Sequence, residues 1–287
     1  MKKILLTTTA LTLLAGAASA GLSVGGDARL GISSSGGTTT VDRRFRVKFK
    51  GSGETDSGVT FGAGAGIRWD DAESTPTTAP NIWGSNVWVS NGTATLTVGN
   101  TNGAIANASG IWGGATIGYT GMSFSAIPFV GHSSSSSAGG GSNLASLTMS
   151  LGSANIGVST GIAGAGDTEV AGNFATGALT IGVGYDTGSS SGTSATYFSV
   201  GSSLGSADVH LNYASNSTGS TAYSLSATMG VGAGSIAMYL GSVGGGSVTG
   251  IGYSQSLGGG AKAAIGIQNI ASAATPLTIE AGLAFGF

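Results

Sequence analysis

The sequence predicts an all-β protein, namely a transmembrane antiparallel β-barrel of 16 strands, with 18 strands as the alternative. Three observations lead to this fold class. Apolar and small or polar residues alternate over segments of about ten residues, only 8% of the residues are charged, and 55 of the 287 are glycine. Soluble domains carry about 25% charged residues. A chain this poor in charge needs an apolar environment, which lipid provides when strands turn apolar side chains outward and small or polar ones inward.

The alternation is clearest in the last strand. Between Leu277 and Phe287 apolar side chains occupy the odd positions, and Thr, Glu, Gly and Ala occupy the even ones. Segments of this length can cross the hydrocarbon layer as tilted strands. Since backbone groups cannot stay unpaired in lipid, such strands must close into a barrel. Two segments, 114–120 and 123–130, alternate poorly, so the periodicity allows either 16 or 18 strands.

The N-terminus predicts export. Lys2 and Lys3 precede a short apolar segment, and Ala18-Ser19-Ala20 provides a small-residue cleavage site. These are the parts of a secretory signal peptide. We therefore expect a signal peptide at 1–20 and a barrel domain at 21–287, located in the outer membrane of a Gram-negative bacterium, in contact with lipid and lipopolysaccharide.

A basic segment near the N-terminus indicates which face is wet. Arg44, Arg46 and Lys48 alternate with Phe45, Val47 and Phe49. A basic side chain that faces lipid at mid-bilayer costs about 2–4 kcal/mol, so the basic face must line the lumen. The same alternation turns arginines of the first and third strands inward. The predicted basic pore wall consists of Arg29, Arg44, Arg46, Lys48 and Arg68.

Several other functions are disfavoured. A nucleic-acid partner is not expected, because such proteins are basic overall and this chain has a formal net charge of −2. With two histidines, no cysteine and no triad pattern, we expect neither an enzyme nor a cofactor. Asp70, Asp71 and Glu73 are weak candidates for binding Ca²⁺, and a solvated acidic loop is the simpler explanation.

At this point the residues resemble a known family. The segments Gly26-Asp27-Ala28-Arg29-Leu30-Gly31 and Arg44-x-Arg46-Val47-x-Phe49, with Gly53 to Gly62, resemble the general-diffusion porins of purple photosynthetic and related alphaproteobacteria. The likeness is specific over 21–131. Beyond that it is architectural, apart from the last strand.

The resemblance implies further features. Residues 100–142 would form the long third loop, folded into the lumen as a constriction, which places the doubtful segments inside and leaves 16 strands. It also implies a homotrimer, passive diffusion of small polar solutes and ions, and an assembly signal at Phe287. The candidate loop residues are Asn100, Asn102, Asn107, Trp112, Tyr119 and His132.

Departures from the family pattern predict the ion preference. The loop has no carboxylates to oppose the basic wall, and the inward positions Gly64 and Gly66 lack the basic residues that relatives carry. We therefore expect a weak preference for anions. The alternative function is a plugged structural or adhesive barrel with binding loops.

Overall fold

A computed structural model describes residues 21–72, 75–76, 81–108, 110, 113–123, 143–162, 166–188, 192–243, 245–271, 273 and 277–287. The predicted signal peptide lies outside these residues, as do Glu73, Trp112 and His132. Within the described ranges, no helix is long and apolar enough to cross a membrane.

Nineteen strands and one short helix make up the described secondary structure. In chain order they are β1 (Gly21–Ser35), β2 (Thr38–Glu54), β3 (Thr60–Ala72), β4 (Thr75–Pro76), β5 (Asn81–Ser90), β6 (Ala94–Asn100), α1 (Ala104–Ala108), β7 (Thr116–Ile117), β8 (Met122–Ser123), β9 (Asn143–Leu151), β10 (Ala154–Gly161), β11 (Thr168–Thr176), β12 (Leu179–Asp186), β13 (Ala195–Leu204), β14 (Ala207–Asn216), β15 (Thr221–Val231), β16 (Gly234–Val243), β17 (Gly246–Gly258), β18 (Ala261–Ile270) and β19 (Leu277–Gly286).

Sixteen of these strands form one closed antiparallel barrel. Each pairs with its neighbours along the chain, β6 pairs with β9 across the long loop, and β1 closes the barrel by pairing with both β2 and β19. The two-residue strand β4 pairs only with β3, and β7 pairs only with β8. This confirms 16 strands rather than 18, because segment 114–120 contributes only the two-residue strand β7, whose hairpin with β8 is separate from the barrel sheet. The second segment lies outside the described residues beyond Ser123.

The barrel has its large apolar side chains on the outside. In β15, Tyr223 and Leu225 are 48% and 41% exposed, whereas their neighbours Ser224 and Ser226 are 1% and 3% exposed. The other strands of the wall alternate in the same way, apart from a register shift within β5. This is the reverse of a soluble sandwich, and it suits a barrel whose outer face contacts lipid and whose inner face is small and polar.

The connections differ between the two ends of the barrel. Five hairpins at one end have two-residue turns that begin with a glycine at φ between 59° and 66°, as tight hairpins require: Gly152, Gly177, Gly205, Gly232 and Gly259. The start of β1 and the end of β19 both lie at this end, because the number of strands is even. The longest connections, including 101–142, join strands at the other end.

Phe287 is held at the seam of the barrel. Its backbone N–H donates to the Gly26 carbonyl over 3.1 Å, and the Gly26 N–H donates back over 2.9 Å. The Phe287 ring stacks on Phe45, with 5.8 Å between ring centroids, and occupies the space that a side chain at Gly26 would need. The ring remains 60% exposed on the outer face. Its role as an assembly signal stays a prediction.

We predict that Leu225→Arg lowers the free energy of unfolding by about 2–4 kcal/mol, because it places a cation on the lipid face near mid-strand. Thr228→Arg, on the lumen face of the same strand, should cost less than about 1 kcal/mol. The measurement is urea unfolding in lipid vesicles. Equal losses in the two variants would contradict the assignment of the faces.

Candidate functional site

The basic side chains of β1 to β3 lie in adjacent register on the inner face. Arg29 is the cross-strand partner of Arg44, and Arg46 is the partner of Arg68. Alternation around them places Phe45 and Phe49 on the outside, each 41% exposed. The five basic residues predicted from the sequence, including Lys48, thus occupy one continuous area of the wall. We call this area the basic wall and include Lys50 in it.

The basic wall contains its own carboxylates. Asp27 receives Arg44 at 3.0 Å and Arg46 at 2.8 Å, and Asp42 pairs with Arg29 at 2.9 Å. These five side chains are mostly shielded from solvent, so the ion pairs fix the arginine geometry as well as reducing net charge. The sequence indicated the arginines of this wall but not their carboxylate partners.

Lys48 and Lys50 differ from the arginines. Both are exposed on the inner face, and no carboxylate of the described residues lies within ion-pair distance of either. Instead, the Lys48 Nζ lies 4.8 Å from the ring centroid of Trp83, and the Lys50 Nζ lies 5.3 Å from that of Trp88. Such contacts hold a cation against an apolar surface without neutralising it.

Trp83 and Trp88 were not among the sequence-predicted residues. A side chain at Gly66 would collide with the Trp83 indole, and one at Gly62 would collide with the Trp88 indole. The glycines of β3 therefore let the indole rings of β5 extend across the strand to the cations of β2. This explains Gly66 in physical terms: the position is occupied by a neighbouring ring.

The first part of the long loop is fixed to the wall by buried contacts. The Asn100 side chain is 5% exposed and its Oδ1 accepts a hydrogen bond from the Gly84 N–H at 2.9 Å. The following helix α1 packs on β9 to β12, and its Ile105 is completely buried in an apolar cluster that also contains Tyr197. Asn107 remains exposed, and its side chain donates to the Asn102 carbonyl at 3.1 Å.

Wall side chains satisfy the backbone at the start of α1. The Ala104 N–H donates to the Ser159 Oγ at 2.8 Å, and the Ile105 N–H donates to the Glu169 Oε2 at 3.0 Å. Asp186, the cross-strand partner of Glu169, is also fully buried here. Carboxylates thus exist on the wall opposite the basic wall, and the neutral loop covers these two.

The next described part of the loop crosses β14 to β17. The Ala115 N–H donates to the Ser226 Oγ at 3.0 Å, and Gly113 lies close to the His210 ring. Ile117 is 2% exposed and belongs to a small apolar cluster with Tyr239. These contacts are all with inward-facing positions, so this part of the loop follows the inner surface of the barrel.

The loop is fastened to the last strand at Glu280. The Thr120 N–H and Oγ1 donate to the two carboxylate oxygens of Glu280 over 3.0 Å and 2.6 Å. Gly118, at φ 70°, has no space for a Cβ because the Glu280 carboxylate occupies it. We call these contacts the Glu280 latch. It brings the loop to within contact of β1, where Tyr119 packs on Gly31.

Tyr119 is buried beside the latch, 4% exposed. Burial, with a smaller effect of the Asp42 and Glu280 carboxylates, raises its pKa well above the usual range. The phenol therefore remains neutral under physiological conditions, and it serves as a packing contact rather than as a charge.

The remaining candidates fall outside what the structure describes. Trp112, His132 and Glu73 are not in the described residues, and neither are the side chains of Asp70 and Asp71. Within the ranges that are described, no group of three or more His, Cys, Asp or Glu side chains is arranged to hold a metal ion. The Ca²⁺ prediction for the acidic residues stays untested.

Comparisons with known proteins agree with this architecture. A variant of the Rh. blastica porin superposes with a TM-score of 0.81 at 22% identity, covering 93% of this chain and 100% of that one. A triple mutant of the Rhodopseudomonas blastica porin gives 0.81 at 21% identity, with the same coverage. A curated porin from Fuscovulum blasticum is 40% identical over 62 residues, which are 22% of this chain and 21% of that protein.

These likenesses establish the fold, and a family model establishes the family. The chain spans only about one fifth of the curated relative's length in that alignment. The model described as Gram-negative porin, however, matches residues 7–274, which is most of the chain. This membership also supports the prediction that the chain is not an enzyme, since the family consists of channel proteins. A closed 16-stranded barrel, an inner basic wall and this match lead to one conclusion: the chain belongs to the family of Gram-negative porins.

Proposed function

We propose that this protein is a passive diffusion pore for small hydrophilic solutes and ions in the outer membrane. The observation that carries the proposal is the exposed pair Lys48 and Lys50 on the inner face of a closed barrel. Exposed ammonium groups must be hydrated, and on the inner face of a barrel with an apolar outer face a water-filled lumen provides that hydration. Solutes would pass by size exclusion, with an electrostatic bias and no bound cofactor.

The proposal includes the setting of the pore. The chain would be exported through a signal peptide cleaved after Ala20 and would assemble as a homotrimer in contact with lipopolysaccharide. Its short-turn end, with both termini, would face the periplasm, because periplasmic turns of such barrels are short and surface loops are long. The family resemblance supports these points.

Loop 100–142 would narrow the lumen from the side opposite the basic wall. Its described part crosses β9 to β12 and β14 to β19 on the inner face and carries no charged side chain. The loop would thus form a neutral side of the constriction, facing arginines that are already paired with Asp27 and Asp42. The transverse field would therefore be weak.

The ion preference would come from the cations that form no ion pair with a described carboxylate. Lys48 and Lys50 lie towards the short-turn end of β2, beyond the paired arginines. On the far wall, Glu169 and Asp186 are fully buried under α1. Asp208 of β14 is exposed on the inner face and accepts a hydrogen bond from the Ser203 hydroxyl, so it opposes the two lysines with a single charge. A positive surface along the aqueous path raises the local concentration of anions, so we propose a weak anion preference.

The test is reconstitution into a planar bilayer under a KCl gradient, with step conductance and reversal potential read together. We expect large conductance steps, often in groups of three, and a reversal potential whose sign shows that chloride is more permeant than potassium. Folded, heat-modifiable protein that gives no steps would favour the plugged structural barrel. A reversal potential that shows clear preference for potassium would overturn the proposed anion preference, but the proposed diffusion pore would stand.

We predict that replacing Lys48 and Lys50 together by Gln lowers the chloride-to-potassium permeability ratio by roughly threefold. Two unit charges about 10 Å from a permeating ion change its energy by about 0.8 kcal/mol in water, and salt screening reduces this to about 0.3 kcal/mol. Because anion and cation shift in opposite directions, the ratio changes by about 0.6 kcal/mol, which is a factor of about three. Arg43→Gln is the matched control, because it removes a cation from the outward face of the same strand. An equal change in both variants would show a non-local charge effect.

We predict that Gly118→Ala disturbs the constriction and Gly121→Ala does not. Both glycines have positive φ, at 70° and 81°, so both substitutions carry a similar backbone cost of about 1–2 kcal/mol. Only the Cβ at position 118 meets the Glu280 carboxylate, whereas position 121 has open space. Single-channel recording should therefore show more current noise for Gly118→Ala alone. Quiet, wild-type currents in both variants would mean that the latch does not position the loop.

A further inference from the structure

We propose that the inner wall contains a binding site for a small ring-bearing organic anion, an aromatic carboxylate, between Trp83 and Trp88. The inference rests on the proposed function, since the site would be reached from the aqueous lumen. It adds a specific interaction to a pore otherwise described by size and charge alone. Binding here would retain such solutes briefly on their way through the barrel.

Three glycines of β3 create the site. Trp88 covers Gly62 and Trp83 covers Gly66, whereas a Cβ at Gly64 would meet only the Phe49 carbonyl oxygen, at 3.4 Å. The backbone at Gly64 is therefore an open floor between two indole rings. The cavity above it has a volume of about 320 Å³ and is bordered by both rings and by Asn86. We call this cavity the indole slot.

The indole slot has donors for an anion on one side. Lys48 and Lys50 both line it, two residues apart on the same face of β2, a separation of about 7 Å along a strand. Neither ammonium group has a described carboxylate within ion-pair distance, so both can donate to a ligand. Each is already held near an indole ring, which limits the entropy that binding would cost.

The chemistry of the lining selects the class of ligand. An inorganic anion would use the ammonium groups alone, and a neutral ring would use the indoles alone. An aromatic carboxylate uses both, because its ring displaces water from the slot while its carboxylate pairs with the lysines. The Asn86 side chain is fixed by donation to the Gly84 carbonyl at 3.0 Å, so this border of the slot is preorganised.

Gly64→Leu provides the sharpest test, because it fills the slot and leaves every charge in place. Gly230→Leu is the matched control: Gly230 also faces the lumen near the short-turn end, with nothing within 4 Å of its Cβ position. A third variant replaces Lys48 and Lys50 by Gln. All are compared as folded, heat-modifiable protein in detergent micelles.

The first readout is quenching of tryptophan fluorescence by 4-nitrobenzoate, which does not depend on conduction, with acetate as the control anion. We expect saturable quenching in the wild-type protein and in Gly230→Leu, and binding weaker by about tenfold in Gly64→Leu. The double Gln variant should also bind more weakly. Non-saturable quenching, or unchanged binding in Gly64→Leu, would overturn the site. If Gly64→Leu does not fold, unchanged binding in the double Gln variant would overturn it.

The second readout is chloride current through single channels with 4-nitrobenzoate on the short-turn side. We expect a saturable reduction of current in the wild-type protein that Gly64→Leu removes. Normal chloride steps without any effect of 4-nitrobenzoate would overturn the indole slot and leave the proposed pore standing. Saturable quenching without any chloride steps would overturn the proposed pore and leave the indole slot standing.

Discussion

The structure depends on the requirement that every backbone N–H and C=O group in lipid be paired within the protein. A sheet can meet it only by closing, and here β1 does so by pairing with both β2 and β19. Closure then creates an outer and an inner face, and successive side chains along each strand alternate between them. Large apolar side chains such as Leu225 lie outside, and small ones such as Ser224 lie inside. The low charge and the many glycines of the sequence both follow from this division.

An inner face of small residues leaves space, and the protein uses it in two ways. Over β9 to β12 and β14 to β19 the long loop occupies the space, and isolated polar side chains of the wall, such as Ser159 and Glu280, bond to its backbone. Over β3 the space is occupied by Trp83 and Trp88, which bring apolar surface to the lysines of β2. The lysines without a carboxylate partner therefore lie on a part of the wall that the described loop does not cover.

The sequence was sufficient for the barrel and for the basic wall, because period-two alternation encodes both directly. It could not reveal that Trp83 and Trp88 share a face, since an odd and an even position should point in opposite directions. A register shift opposite Gly64 and Gly66, with Gly84 at φ 60°, reverses the alternation within β5. The Glu280 latch was equally inaccessible, because 160 residues separate Thr120 from its partner. Ion pairs such as Asp27 with Arg46 needed the exact cross-strand register.

The position of the Glu280 latch has a consequence for how the molecule is made. The loop begins after β6, yet Thr120 within it is held by β19 and Tyr119 packs against β1, the last and first strands of the barrel. Those two strands become neighbours only when the barrel closes. The final placement of this part of the loop must therefore follow closure, whereas α1 can settle on its own strands earlier. An incomplete barrel would thus carry only half of its inner lining, and the lumen reaches its final cross-section in the step that joins the two ends of the sheet.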